Sequence, residues 1–371
     1  MINGDRKQKQ GVIFLFGAGA SVDAGVPDTY RFVEEFKRHV EKEDSKLHGN
    51  LLQILEKREQ FNERNFGVQK RQVDVEQLLG TLGRLIEKDR DPLLDFFDQK
   101  RFSPSLSEDW FPELKRLLED FIRKNAVVEK EERLDYLREL LQFDTPLEIY
   151  STNYDTCIEQ LCHTSHRRYV DGFDVYWNPD SFDEDSDVKH FKLHGSVIWY
   201  ENKKTKEYVK IPVRGFINEK KVDLRLIYGE DVEPLLIYPA QKPEYIELLT
   251  ELQLMFKRRL TSNETRTSIV VGYSFRDDYI VHMLWDAARI NHELHVIFIS
   301  PSAQKQFEDK LMYVDKEKKI LSRISDRVLC LPYPFSTVIN SLRNHYLPEL
   351  ERIRGLEKRC VESEKYGNKA D

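Results

Sequence analysis

The chain has 371 residues, 40% of them hydrophobic, enough for a full core and a second subdomain. Charged residues make up 33% but are mixed in sign and sum to −7, which excludes a protein built as a basic nucleic-acid domain. Four cysteines, Cys157, Cys162, Cys330 and Cys360, form no CxxC pair, so neither a zinc knuckle nor a disulfide framework is expected. The polar start MINGDRKQKQ lacks the apolar core of a signal peptide, and no stretch approaches the ~20 apolar residues that span a bilayer. The expectation is a reduced, soluble, cytoplasmic protein with no membrane contact and no direct nucleic-acid binding.

In chain order, the first predicted element is a buried strand, Val12–Phe16, running into FLFGAGASVDAGVPD at residues 14–28. Glycines after a buried strand let the backbone turn sharply and approach a pyrophosphate without a Cβ clash. Gly17, Ala18, Gly19 and Ser21 are therefore candidate phosphate contacts. The third glycine of the dinucleotide fingerprint would fall at position 22, which is Val22, and no Walker lysine follows. The loop is thus neither an ordinary dehydrogenase loop nor a P-loop.

Well over one hundred residues separate this strand from the next, Leu147–Ser151. Between them the three- and four-residue spacing of apolar positions predicts helices over Tyr30–Glu43, Leu51–Phe61, Val75–Lys88, Trp110–Lys124 and Lys130–Leu141. This reads as a helical subdomain inserted after the first βα unit, serving as scaffold or oligomer interface.

The second strand leads into IYSTNYDTCIEQL, residues 149–161. Thr152, Asn153 and Asp155 sit in the turn, where Thr152 or Asp155 either caps the following helix or faces a strand-end pocket. The acidic run DSFDEDSD at 180–187 lacks calcium-loop spacing and reads as a solvated loop. In HFKLHGSVIWY, residues 190–200, His194 follows a β-like run and precedes Gly195. Its imidazole can take a proton from water or a hydroxyl near neutral pH, and the glycine permits close approach of a ligand.

Tyr200–Glu233 reads as a hairpin-rich excursion. A strand over Ser268–Tyr273 then ends in Gly272-Tyr273-Ser274, ahead of Arg276, Asp277 and Asp278. Gly272 and Ser274 suit a backbone lying against a ribose or adenine; the two aspartates either join them or simply start the next helix. Strands at His295–Ser300 and Arg327–Leu331 complete the series, and the tail from Leu347 begins as helix and ends in polar residues. Strands alternating with helices predict an α/β fold, an open Rossmann-like parallel sheet with ligands outside the carboxyl ends of its strands.

The order GAGAS–AGVPD, TNYD, LHGS and a strand ending GYS resembles the sirtuin catalytic core. The resemblance covers residues 10–30 and 147–345 as a NAD-binding core, leaving 31–146 as the helical insert and 346–371 as a C-terminal helix and tail. It departs from the sirtuin deacylases in two places. Their zinc ribbon of two CxxC pairs is missing, so no zinc is expected, and Pro-Asp-Phe-Arg is replaced by Pro27-Asp28-Thr29-Tyr30-Arg31. The insert and the GYSFRDD form look like the sirtuin-like domains of bacterial anti-phage defence proteins, which hydrolyse NAD+.

What the resemblance implies is an NAD+ glycohydrolase with NAD+ as substrate. His194 is then the base, Asn153 holds the nicotinamide ribose or the water, and Asp155 orients the ribose or carboxamide. Gly17, Ala18, Gly19 and Ser21 take the pyrophosphate, Gly272 and Ser274 flank the adenosine half, and Asp28, Arg31, Thr152 and Gly195 complete the binding set. The other readings are an NAD-dependent protein deacylase and a non-catalytic NAD or ADP-ribose sensor. A toxic hydrolase needs restraint, and the expected source is homo-oligomerisation or a separately encoded partner such as a HerA-type ATPase.

Overall fold

The computed structural model describes residues 11–68, 71–87, 110–212, 231–236, 247–314 and 325–354. Parts of three expectations lie outside them: the end of the helix predicted to Lys88, the middle of the Tyr200–Glu233 excursion, and the polar tail with Cys360.

β1 (Val12–Phe16) is the centre of a seven-stranded parallel sheet, and Ile13, Phe14 and Leu15 are fully buried in it. Such apolar runs without alternation are what a sheet covered on both faces requires. On one side β1 pairs with β2 (Leu147–Ser151), which pairs with β4 (Val188–Lys192) and then with the short edge strand β3 (Tyr169–Val170). On the other side lie β8 (Thr267–Val271), β9 (His295–Ile299) and β10 (Val328–Leu331). The order β10-β9-β8-β1-β2-β4-β3 places the reversal of winding between β1 and β8, where an open parallel sheet leaves a crevice at its strand ends. The expected open parallel α/β sheet is the fold observed.

Beyond β4, the strands β5 (Gly195–Asn202), β6 (Tyr208–Lys210) and β7 (Val232–Leu236) form a separate antiparallel sheet in the order β6-β5-β7. The long connection from β1 to β2 is helical: α1 (Thr29–Glu43), α2 (Ser45–Phe66), α3 (Val75–Glu87) and α4 (Trp110–Asn125). α2 exceeds the expected Leu51–Phe61 at both ends. Asp44 caps its start by accepting from the N–H groups of Lys46 and Leu47, and Gly67, at φ 88°, ends it. Glu131–Gln142 coils as a 3-10 helix rather than an α-helix. Its buried residues Leu134, Leu137 and Leu140 recur every third position, the period of that tighter helix. The elements after β4 are α6 (Glu247–Thr261), α7 (Asp278–Ile290), α8 (Ala303–Val314) and α9 (Phe335–Ser341); α5 (Cys157–Thr164) follows β2.

At the switch point the two loops touch through backbone. The N–H of Gly17 donates to the Val271 carbonyl at 2.9 Å, and that of Gly19 to the Gly272 carbonyl at 3.0 Å. A Cβ on Gly19 would meet the Gly272 Cα at 2.7 Å, and one on Gly272, at φ +57°, would meet the Gly19 backbone at 2.4 Å. These glycines are required by each other before any ligand is considered. Gly272→Ala therefore combines left-handed strain with overpacking and is expected to cost about 2 kcal/mol or more. Urea denaturation reads that loss, and a variant as stable as wild type would show that the loops separate freely.

Candidate active site

A cavity of about 480 Å³ opens over the carboxyl ends of β1, β2 and β8. It brings together Gly17, Ala18, Gly19, Asp28, Thr152, Asn153, Asp155, His194, Gly272 and Ser274 from four separate stretches of sequence. Three other sequence candidates lie outside its lining. Ser21 sits behind the glycine loop and receives a hydrogen bond from Asn153 Nδ2 at 3.2 Å. Arg31 extends along the outside of α1 to Glu35 at 2.7 Å, with 59% of its side chain exposed. Gly195, at φ +85°, is demanded by β7, because a Cβ there would meet the Leu235 carbonyl oxygen at 2.1 Å. Each has a structural partner of its own outside the cavity lining.

Asn153 joins the β2 turn to the β1 loop. Its Nδ2 donates to the Gly17 carbonyl at 3.0 Å as well as to Ser21 Oγ, and its own N–H donates to Ser151 Oγ at 3.0 Å. What the amide has left for a ligand is Oδ1, an acceptor. Asp155 lines the cavity and accepts from the Cys157 N–H at 3.0 Å just ahead of α5, whose N-cap position is Thr156. Asp28 likewise lines the cavity while accepting from the N–H groups of Tyr30 and Arg31, both at 2.9 Å.

The β2 turn rests on a buried charge cluster. Lys192, on β4 and fully buried, donates to the carbonyls of Asn153 (3.4 Å) and Asp155, and pairs with Glu159 at 3.2 Å. Burial opposes the Glu159 charge, but Lys192 and then His190 outweigh it and hold its carboxyl down at about 2. A buried ammonium with carbonyl and carboxylate partners is costly to form and rigid once formed, which suits a support for the loop that carries Asn153.

His194 is nearly buried, and its Nε2 lies 2.7 Å from Asp277 Oδ2. With Nε2–H donating to that carboxylate, Nδ1 is the acceptor, and it has no hydrogen-bond partner in the structure. Asp277 serves two elements. Its Oδ1 caps α7 by accepting from Tyr279 (2.9 Å) and Ile280 (3.2 Å), leaving Oδ2 for the imidazole. Burial pushes the Asp277 carboxyl up, but the hydrogen bond and charge of His194 and these two N–H groups hold it below its ordinary range. The acid after GYSFR is thus both helix start and imidazole partner; only the first role was legible in the sequence.

The insert also reaches the site. Val75 and Glu76 of α3 and Ile122 of α4 line the cavity, so residues of the predicted insert form part of its wall. Arg276 ties it down, reaching Asp74 at 2.7 Å and Thr29 Oγ1 at 3.2 Å, with its guanidinium 4.3 Å over the Tyr30 ring. Burial raises the Glu76 carboxyl to about 7; among the neighbouring charges His194 lowers it, Asp74 raises it, Arg276 lowers it and Asp277 raises it. Nothing in the spacing of DVEQLL marked Glu76 for the site, since it sits in an ordinary amphipathic helix.

Among the described residues no His, Cys, Asp or Glu group comes together as a metal-binding array, and no helix is long and apolar enough to cross a membrane.

A family model described as a SIR2-like domain matches residues 147–320, the stretch carrying TNYD, LHGS and GYS. Among solved structures, one described as a Sir2 homolog–NAD complex is 13% identical with a TM-score of 0.44, the match covering 91% of this chain and 90% of that one. A mutant Sir2 homologue in complex with ADP-ribose is 11% identical with a TM-score of 0.43, covering 96% and 99%. No curated protein matches the chain.

Asp277→Ala removes the α7 cap and the imidazole's partner together and is expected to cost about 1–2 kcal/mol at neutral pH. Asp277→Asn keeps the cap and costs less. The Asp277 carboxyl is depressed in the folded state, so its contribution is present above the ordinary value of 3.8 and disappears as pH falls through the lower folded value. Chemical denaturation of wild type and both variants at neutral and acid pH checks this; a wild-type advantage over Asp277→Asn that survives at the acid end contradicts it.

Proposed function

We propose that the protein is an NAD+ glycohydrolase, cleaving NAD+ and water to nicotinamide, ADP-ribose and a proton. The single observation that carries this reading is the pair formed by His194 and Asp277 in the wall of a cavity of about 480 Å³ that Asn153 also lines, with Nδ1 of the imidazole buried and without a hydrogen-bond partner. The match to a SIR2-like domain over the stretch holding these residues supports the choice of ligand class.

Breaking the nicotinamide–ribose bond resembles glycoside cleavage, with an oxocarbenium-like ribose. The bonding pair passes to the ring nitrogen and neutralises the pyridinium, so the leaving group needs no acid. The site must hold the ribose, position a water and accept its proton. His194 takes that proton on Nδ1, directly or through a ribose hydroxyl, and Asp277 stabilises the resulting imidazolium. Asn153 Oδ1 accepts from the water or ribose and orients it, while Asp155 holds the ribose or carboxamide. The β1 loop at Ala18 and the Gly272–Ser274 turn take the phosphates and the adenosine half, with Asp28 and Thr152 at the rim.

On this reading residues 10–30 and 147–345 are the catalytic core, 31–146 an insert and 346–371 a tail. NAD+ consumption by a domain without zinc cysteines fits an anti-phage effector that depletes the cell's NAD+. Restraint then comes from assembly, as a homo-oligomer or with a separately encoded partner such as a HerA-type ATPase.

Purified protein incubated with NAD+ is expected to release nicotinamide and ADP-ribose in equal amounts without any acylated peptide, read by chromatography. His194→Ala and Asn153→Ala are each expected to lower the rate at least about 100-fold, the usual scale for losing a proton acceptor or a key orienting group. Turnover that depends on an acylated peptide would replace hydrolase with deacylase, and a His194→Ala variant at full rate would remove the imidazole from the chemistry.

A further inference from the structure

Glu76 is a half-buried carboxyl in the wall of the His194 cavity, carried by the first turn of α3. Its position is fixed from both sides. Asp74 caps α3 by accepting from the Gln77 N–H at 2.9 Å, and the same carboxylate is held by Arg276 at 2.7 Å. The Glu76 carboxyl itself forms no hydrogen bond or ion pair with another described residue.

The charges that face it are His194 from the β4–β5 turn, Arg276 and Asp277 from the β8–α7 turn, and Asp74 from its own approach. These four already sort into two pairs, Arg276 with Asp74 and His194 with Asp277, each at 2.7 Å. Arg276 and the His194 imidazole are each therefore committed to another carboxylate. Glu76 is the remaining acid of the cluster, and burial with two neighbouring carboxylates keeps it protonated up to about pH 7. A carboxyl in that state ionises readily when a positive group is set beside it.

We infer that Glu76 is the counter-ion for a cationic ligand group in this cavity, and that the insert thereby selects the oxidised, positively charged nicotinamide ring. The inference rests on the NAD+ reading and deepens it. The pyridinium of NAD+ supplies the positive charge on binding, and when the glycosidic bond breaks that charge moves to the ribosyl carbon within the same field. NADH and ADP-ribose carry no such charge. Binding the cation lowers the Glu76 carboxyl and expels its proton, so affinity for the cationic ligand rises with pH up to about 7 and levels off above it.

The test uses the full chain and carba-NAD+, whose glycosidic bond does not break, with ADP-ribose as the uncharged-end control. Titration calorimetry at pH 6 and pH 8 is run on wild type, Glu76→Gln and Glu76→Asp. The expected result is that wild type binds carba-NAD+ about fivefold or more tightly at pH 8 than at pH 6, since an opposite charge shifts a carboxyl by about one unit or more. ADP-ribose affinity lacks this rise, Glu76→Gln abolishes it for carba-NAD+, and Glu76→Asp keeps it. If both ligands bind and Glu76→Gln leaves the carba-NAD+ profile unchanged, the counter-ion role is overturned while the dinucleotide reading stands. If wild type binds neither ligand, both are overturned.

Discussion

The contact on which the rest depends is the one between two turns of backbone, Gly17–Gly19 after β1 and Gly272 after β8. Neighbouring parallel strands ordinarily send their connections to opposite faces at a switch point and leave a crevice there. Here the turns meet at the floor of that crevice, with two N–H to carbonyl bonds and Cα atoms too close for any side chain. That contact sets where the Asn153 amide finds the Gly17 carbonyl, and so where the β2 turn sits over the sheet. It also fixes the start of the Tyr273–Asp277 stretch that carries the acid to His194.

Above this floor the site is held by ion pairs that are expensive to bury and hard to rearrange. Lys192 with Glu159 supports the β2 turn from beneath, Asp277 orients His194, and Arg276 with Asp74 locks the insert against the core. Buried pairs of this kind contribute little net stability against apolar replacements, and their value lies in geometry. Glu76 stands outside these pairs, in the wall of the cavity.

Much of the sheet was legible in the sequence because fully buried parallel strands are unalternating apolar runs, as in VIFLF and SIVV. The strand at Val188–Lys192 was harder, since it carries Lys189, His190 and Lys192, whose partners come from other elements, and Tyr169–Val170 is only two residues long. The boundaries of α2 depended on Asp44 and Gly67, and the 3-10 character of Glu131–Gln142 on a three-residue burial period easily read as a sparse α-helix. Of the candidate residues, those at strand ends fall in one cavity. Ser21, Arg31 and Gly195 lie outside its lining, beside the Asn153 amide, a neighbouring glutamate and a neighbouring strand.

The sequence by itself determined the parallel α/β sheet, the turns that carry its polar residues, and the presence of an imidazole and an amide at strand ends. Those follow from local rules of burial, turn chemistry and residue type. Only the tertiary structure decided that Asp277 faces His194 across 83 positions of chain, that Lys192 supports the Asn153 turn, and that Glu76 belongs to the site. Pairings between charges far apart in sequence leave no periodic signature, because either partner alone looks like a helix cap, a surface acid or an ordinary strand residue.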